Sequence, residues 1–217
     1  MKSVFAVVKR MLSSNIVTFI VTAAIVFCAT TSGDSEVALS NGNYTWLAAA
    51  MAPFFIVCYD CKKLMYLGTD KKDYYIGSLV TYGILAVLIS LVNTLIHLLI
   101  DPLNHSQTVV NLMEVCGWTD NGIIIAFLQQ ALFLVLVMIF LHVLLSMQPY
   151  WYGWLADVML VSVICIFTPI APLRQVLSKF FGAVMYNSNA LLHIAICVLL
   201  SLLLAAAGIA VLKRKAL

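Results

Sequence analysis

Long apolar runs, rather than short amphipathic repeats, dominate the hydrophobic pattern of this chain. Six stand out, at residues 15–31, 44–59, 75–100, 123–147, 154–170 and 191–212. About 20 apolar residues of helix cross a bilayer, and lipid offers no partners to free backbone N–H and C=O groups, so each run predicts a transmembrane α-helix. The second and fifth are short and need residues from their flanks. Two stretches depart from the pattern because polar residues return at helical spacing. In the first fifteen residues Met1, Val4, Phe5, Val8, Met11 and Leu12 share one face, with Lys2, Ser3, Lys9, Arg10 and Ser13 largely opposite. That spacing predicts a helix along the membrane interface, the alternative being a basic flank that only fixes topology. After the fifth run Leu173, Val176, Leu177, Phe180, Phe181 and Val184 recur at helical spacing, opposite Arg174, Gln175, Ser178 and Lys179, and Pro172 suits a first turn. This segment is too short and too charged to span, and it predicts a helix lying at the outer interface. The expected fold is thus an all-α integral membrane protein with one transmembrane domain over residues 1–217. It has six spans, an amphipathic N-terminal helix and an external amphipathic insert between the fifth and sixth spans.

Composition strengthens that picture. The chain has 217 residues, of which 64% are hydrophobic and 10% charged, with a mean hydropathy of +1.06. Soluble domains carry roughly 25% charged residues. Six helices leave little chain for a soluble domain, so any energy source or large recognition surface must come from a partner. Lys2, Lys9, Arg10, Lys62, Lys63, Lys71, Lys72, Lys213, Arg214 and Lys215 fall on one side of the six-span arrangement, and only Arg174 and Lys179 on the other. Basic loops stay cytoplasmic, which predicts a multi-pass cell-membrane protein with both termini in the cytoplasm. A secretory signal peptide is the competing reading of the first run. The long charged region and the lack of a small-x-small cleavage site before Ser32 favour an uncleaved span.

Candidate chemistry changes the picture less. The external stretches 31–44 and 101–122 are rich in turn residues and carry two glycosylation triplets, Asn43-Tyr44-Thr45 and Asn104-His105-Ser106. Cys58-x-x-Cys61 has redox spacing, but it falls at the cytoplasmic edge beside Lys62 and Lys63, where thiols stay reduced. His97, His105, His142 and His193 lie on separate segments without metal-ligand spacing, and protease and Walker signatures are lacking. No metal and no catalytic residue is therefore assigned. Polar groups inside spans are costly and hence informative. Asn93, Thr94, His97, Gln129, Gln130, His142 and Asp157 are of this kind. They either line a translocation path or join helices by hydrogen bonds, with joining the commoner use.

The stretch between the second and third runs is richer than a topology signal requires. It reads Lys62-Lys63, then Leu64-Met65-Tyr66-Leu67, then Gly68-Thr69-Asp70-Lys71-Lys72-Asp73, then Tyr74-Tyr75-Ile76-Gly77. A short helix is expected, then a Gly68-centred turn with Thr69 or Asp70 as N-cap, then an aromatic re-entry. Residues Leu67 to Gly77 resemble the coupling segment of the permease subunits of type-2 ABC exporters, which reads approximately Leu-Gly-x-Ser/Thr-Arg/Lys-Lys-x-aromatic-aromatic-x-Gly. Asp70 stands where Ser or Thr is expected. The resemblance implies an exporter subunit without enzymatic activity of its own and without a cofactor, ATP and magnesium being held by a partner ATPase. It further implies a second permease chain, identical or related, the lipid bilayer as surroundings, no nucleic acid, and a peptide-like, lipid-like or amphiphilic substrate. In such a subunit Leu67 and Tyr74 would fill a groove of the ATPase while Asp70, Lys71 and Asp73 orient the contact, with Gly68, Thr69 and Lys72 completing the docking segment. Two other classes compete: a non-transporting immunity or regulatory subunit, and an intramembrane thiol oxidoreductase using the Cys58 pair.

Overall fold

The computed structural model describes residues 2–28, 37–103 and 108–214. Its helices are α1 (Lys2–Ser14), α2 (Ile16–Cys28), α3 (Trp46–Phe55), α4 (Cys61–Tyr66), α5 (Lys71–Leu99), α6 (Leu112–Val115), α7 (Ile123–Met147), α8 (Trp151–Phe167), α9 (Ala171–Val184) and α10 (Ala190–Arg214). Two short strands, β1 (Val37–Leu39) and β2 (Thr108–Val110), pair in parallel. The chain is an all-α membrane-embedded protein. Among the described residues five helical stretches are long and apolar enough to cross a bilayer, Ser3–Val26, Asn41–Tyr66, Lys71–Leu103, Ile123–Met147 and Ala190–Lys213. A sixth is reached only if α8 and α9, bent by 119° at a short break, count as one.

Lipid tails are as apolar as leucine, so these helices gain little by merely hiding apolar surface from one another. Small residues that admit close approach decide which faces meet. Ala48, Ala49 and Ala52 on α3 and Ala86 on α5 are buried in the main core, with Leu85, Ile89, Leu134, Met138 and Ile139. A second core gathers Trp118, Met113, Cys116, Phe133 and Cys197, where Trp46 and Trp118 stack with ring centres 6.2 Å apart. We call the end of the bundle that holds the α4–α5 turn the lysine end. The opposite end, with the two strands and α6, is the loop end.

The N-terminal helix differs from the expectation of a separate interfacial element. Backbone bonds from Asn15 N to Met11 O (3.0 Å) and Phe19 N to Asn15 O (3.2 Å) carry α1 into α2. α1 also packs lengthwise on α5. Ser3 donates to Asp73, a side chain at Gly77 would meet Val7, and Thr81 Oγ1 donates to Met11 Sδ at 3.7 Å. Those pairs share one sequence offset, so the two helices run parallel. The 29 residues of α5 extend about 43 Å at 1.5 Å per residue, against about 30 Å of hydrocarbon, and α1 lies alongside the surplus turns. Contact with α5 selects Val7, Val8 and Met11 for burial and leaves Phe5 exposed.

Sequence also missed how the second span is built. Pro53 lacks an N–H and weakens the preceding turn of α3. The next residues, Ile56–Asp60, widen into a π-turn in which Cys61 N–H reaches Ile56 O. At the loop end, β1 and β2 come from the two loops that bracket α3 to α5, and Ala38 pairs with Val109. Nothing in a three-residue run announces such a partner.

α8 and α9 are the exception to close packing. Of the 17 residues of α8 only Gly153 is buried, where a side chain would strike the Met147 carbonyl. On α9, Phe180 and Phe181 are exposed and touch each other edge to face at 5.6 Å, and only Val184 is buried.

Candidate functional site

The α4–α5 turn is built to a definite shape. α4 ends with Thr69 N–H on Leu64 O (3.1 Å) and Gly68 N–H on Met65 O (3.0 Å), and Gly68 takes φ +79°. This paired bonding satisfies the last carbonyls of a helix and needs a residue free to adopt positive φ. Asp70 then starts α5 with extended backbone, as the N-cap expectation requires, although its side chain makes no capping bond. On this frame Tyr66 is 91% exposed and Leu67 66% exposed. Lys72 is exposed, Thr69 half-buried, and Asp73 accepts the Ser3 hydroxyl.

Tyr74 corrects the expected contact. It is 1% exposed, its hydroxyl donates to Ile56 O at 3.2 Å, and its ring lies 6.1 Å from that of His142. A groove on another protein cannot reach it. The physical reason is helical phase: one turn into α5, Tyr74 faces the π-turn, whose carbonyl at Ile56 accepts its hydroxyl. Tyr66, which the sequence reading passed over, is the aromatic side chain exposed at the tip of the turn. The signal was available, since the last residue of a helix before a positive-φ glycine sits at the tip of the turn.

The polar residues of the spans are dispersed rather than assembled into one path. Asn93 and His97 belong to the loop end. Asn111 Nδ2 donates to Asn93 Oδ1 (3.1 Å) and Ser40 Oγ (3.2 Å), its Oδ1 accepts from Met113 N (3.0 Å), and Ser40 Oγ donates to Asp101 Oδ1 (2.9 Å). His97 Nδ1 lies 3.4 Å from Asp101 Oδ2 and Nε2 lies 3.9 Å from Glu114 Oε1. Asn43 joins the same tie, donating to Val110 O (3.0 Å) and accepting from Leu112 N (2.8 Å), so its amide is held inside the loop structure. Asn104 lies outside the described residues. Near the lysine end Tyr82 Oη and His142 Nδ1 lie 2.7 Å apart, with the rings of Tyr74 and Tyr75 packed on the imidazole. Asp157 accepts from Gln148 Nε2 at 2.7 Å and ties α8 to the end of α7.

Gln129 and Gln130 remain. Gln129 Nε2 reaches Asn187 O at 3.5 Å, whereas neither amide atom of buried Gln130 has a hydrogen-bond partner among the described residues. From the Tyr82–His142 pair, equal steps along the antiparallel α5 and α7 lead to Thr94 and Gln130 at one level, and Ser90 and Thr94 are likewise buried without partners there. Nearby, between α2, α3 and α5, a cavity of about 480 Å³ is lined by apolar groups such as Phe19, Val26, Ala48 and Ile96.

Among the described residues no group of three His, Cys, Asp or Glu side chains could hold a metal ion. None of the six cysteines is in a disulfide, and Cys58 is exposed while Cys61 is buried. At the loop end, outside the spans, burial pushes the Cys116 thiol up to about 12. The most distinctive residue that sequence reasoning overlooked is Asp60, 1% exposed within the π-turn, whose Oδ1 accepts from Ser14 Oγ at 2.9 Å. An ionisable group in the flank of an apolar span was the signal. No protein-family model, curated protein or solved structure matches this chain.

Proposed function

We propose that the chain is the membrane-spanning permease subunit of an ATP-driven exporter, driven by a separate ATPase that grips the α4–α5 turn. The observation that supports this reading most is the exposed pair Tyr66 and Leu67 on a turn fixed by Gly68 and backed by buried Tyr74. A topology signal needs only the lysines. An aromatic and an aliphatic side chain presented at a rigid tip are what a partner's pocket accepts. In this reading the lysine end faces the cytoplasm with both termini. The six spans are α1–α2, α3–α4, α5, α7, α8 and α10, the 17 residues of α8 crossing with help from their flanks, and α9, bent away from α8 by 119°, is the insert on the outer side. Tyr74 bonds α5 to the π-turn, so a push on the turn moves both helices together. The substrate, peptide-like, lipid-like or amphiphilic, passes between two permease chains, because Asn93 and His142 are tied within one chain to Asn111 and Tyr82, and the cavity between α2, α3 and α5 is lined mainly by apolar groups.

The same dispersal favours one rival, a non-transporting immunity or regulatory subunit that binds the cargo without moving it. Reconstitution separates the two. Co-expression with its ATPase should give a complex that hydrolyses ATP faster in lipid with substrate. Tyr66→Ala with Leu67→Ala should weaken ATPase capture about tenfold or more, as loss of a central anchor does, while Tyr74→Phe keeps the docking surface. Full capture and transport by the double variant would refute the docking assignment, and capture without transport would favour the regulatory subunit.

A further inference from the structure

At the lysine end α1 and the π-turn enclose a cleft of about 520 Å³ that the permease reading leaves unused. Lys9, Arg10, Ser13 and Ser14 line one side, and Asp60 and Lys63 the other. Lys9, Arg10 and Ser13 share one side of α1 by helical spacing, and Lys63 is steadied with Nζ 3.7 Å over the Tyr59 ring. Three cations thus surround one carboxylate. Asp60 Oδ1 is taken by Ser14, but buried Oδ2 has no hydrogen-bond partner among the described residues, and neither Arg10 nor Lys63 closes on it as an ion pair. A buried carboxylate oxygen without a donor is costly, and its presence is explained by a donor from outside the chain.

The cleft asks for two groups at once, an anion for the cations and a donor for Asp60 Oδ2. A phosphodiester carrying an ammonium supplies both, as charge-assisted bonds at each end. Its depth fits a lipid source. The cleft flanks the surplus turns of α5, exposed Phe5 projects from the same helix, and exposed Trp151 and Trp154 follow α7 at this end, aromatic residues of the kind that sit at headgroup level. We propose that this cleft holds the headgroup of a membrane aminophospholipid, its phosphate on Lys9, Arg10 and Lys63 and its ammonium on Asp60 Oδ2. The π-turn is what turns Asp60 into the cleft, a use typical of such turns.

Native mass spectrometry of the full chain, offered equal amounts of phosphatidylethanolamine, phosphatidylcholine and phosphatidylglycerol with identical acyl chains, tests this. Phosphatidylethanolamine should be retained about tenfold over the other two, because a quaternary ammonium cannot donate and a glycerol headgroup brings no cation. Asp60→Asn should abolish that preference. Lys9→Gln with Lys63→Gln, at positions outside the core, should lower retention about tenfold with an unchanged unfolding midpoint. That pair keeps the test decisive should Asp60→Asn fold poorly. Equal retention of the ethanolamine and choline lipids, preference for the glycerol lipid, or full retention by the lysine pair variant would each overturn the proposal. Soluble glycerophosphoethanolamine binding as well as the lipid would overturn the membrane source.

Discussion

α7 and α8 follow one another in the chain, and both are apolar nearly throughout, yet one lies in the centre of the bundle and the other touches it almost only at Gly153. Polar and small residues make the difference. α7 carries Gln129, Gln130, His142 and Ser146, all buried, and meets the alanine faces of α3 and α5. α8 has Asp157 bonded to Gln148 in its early turns and then Val158, Met159, Val161 and Ile164 facing outward. Where the solvent is lipid, an apolar side chain has no reason to leave it, whereas a buried polar group must find a partner. α7 is therefore committed to this chain, and α8 and α9 are free to meet lipid or another chain.

The widest contrast concerns Cys116, beside the core that α7 organises. With its thiol pushed up to about 12, its thiolate at pH 8 should be roughly a thousandfold scarcer than at an ordinary cysteine. Maleimide labelling at Cys116 should be slower by that order in the native protein than after unfolding, as read by mass spectrometry. The sign for stability follows: the folded chain holds the proton more tightly, so Cys116 favours folding below the ordinary thiol range and that advantage fades as pH rises toward about 12. Prompt native labelling would mean that the loop end is open.

Asn111→Ala should cost about 2–3 kcal/mol, because it strands the Asn93 side-chain oxygen and the Met113 N–H together and removes one donor from Ser40. The unfolding midpoint measures this, and an unchanged value would show that the loop end does not help hold α5. Tyr82→Phe removes one buried hydrogen bond to α7 and should cost about 1 kcal/mol, within the range for polar contacts between membrane helices. The smallest effect belongs to α8. Val158→Ala with Ile164→Ala should shift the stability of the isolated chain by less than about 0.5 kcal/mol, as at sites without packing partners. A larger loss in detergent at low protein concentration would show that α8 packs within the chain, and a loss only at high concentration would assign it to contact between copies.

Much of the architecture was legible in the sequence. The long apolar runs near 75–100, 123–147 and 191–212 coincide closely with α5, α7 and α10, because an uninterrupted apolar stretch of that length has one stable form in lipid. Asp70 begins α5 and Gly68 turns the chain, since positive φ and extended N-caps are properties of single residues. α9 was found from spacing alone, as amphipathic period requires no partner. Tertiary structure decided the rest. Tyr74 and Tyr66 differ in the sequence only by position, and helical phase across a bent connection buried one and exposed the other. The sequence marked Asn93, His97 and His142 as exceptional without telling a path from a tie, because that depends on which residue of a distant segment arrives opposite. Asp60 became a candidate ligand group only when Pro53, the π-turn and α1 met around it. Local conformation is set by each residue's own sterics and by the solvent it meets, whereas the partner of a buried polar group is set by the whole chain's packing.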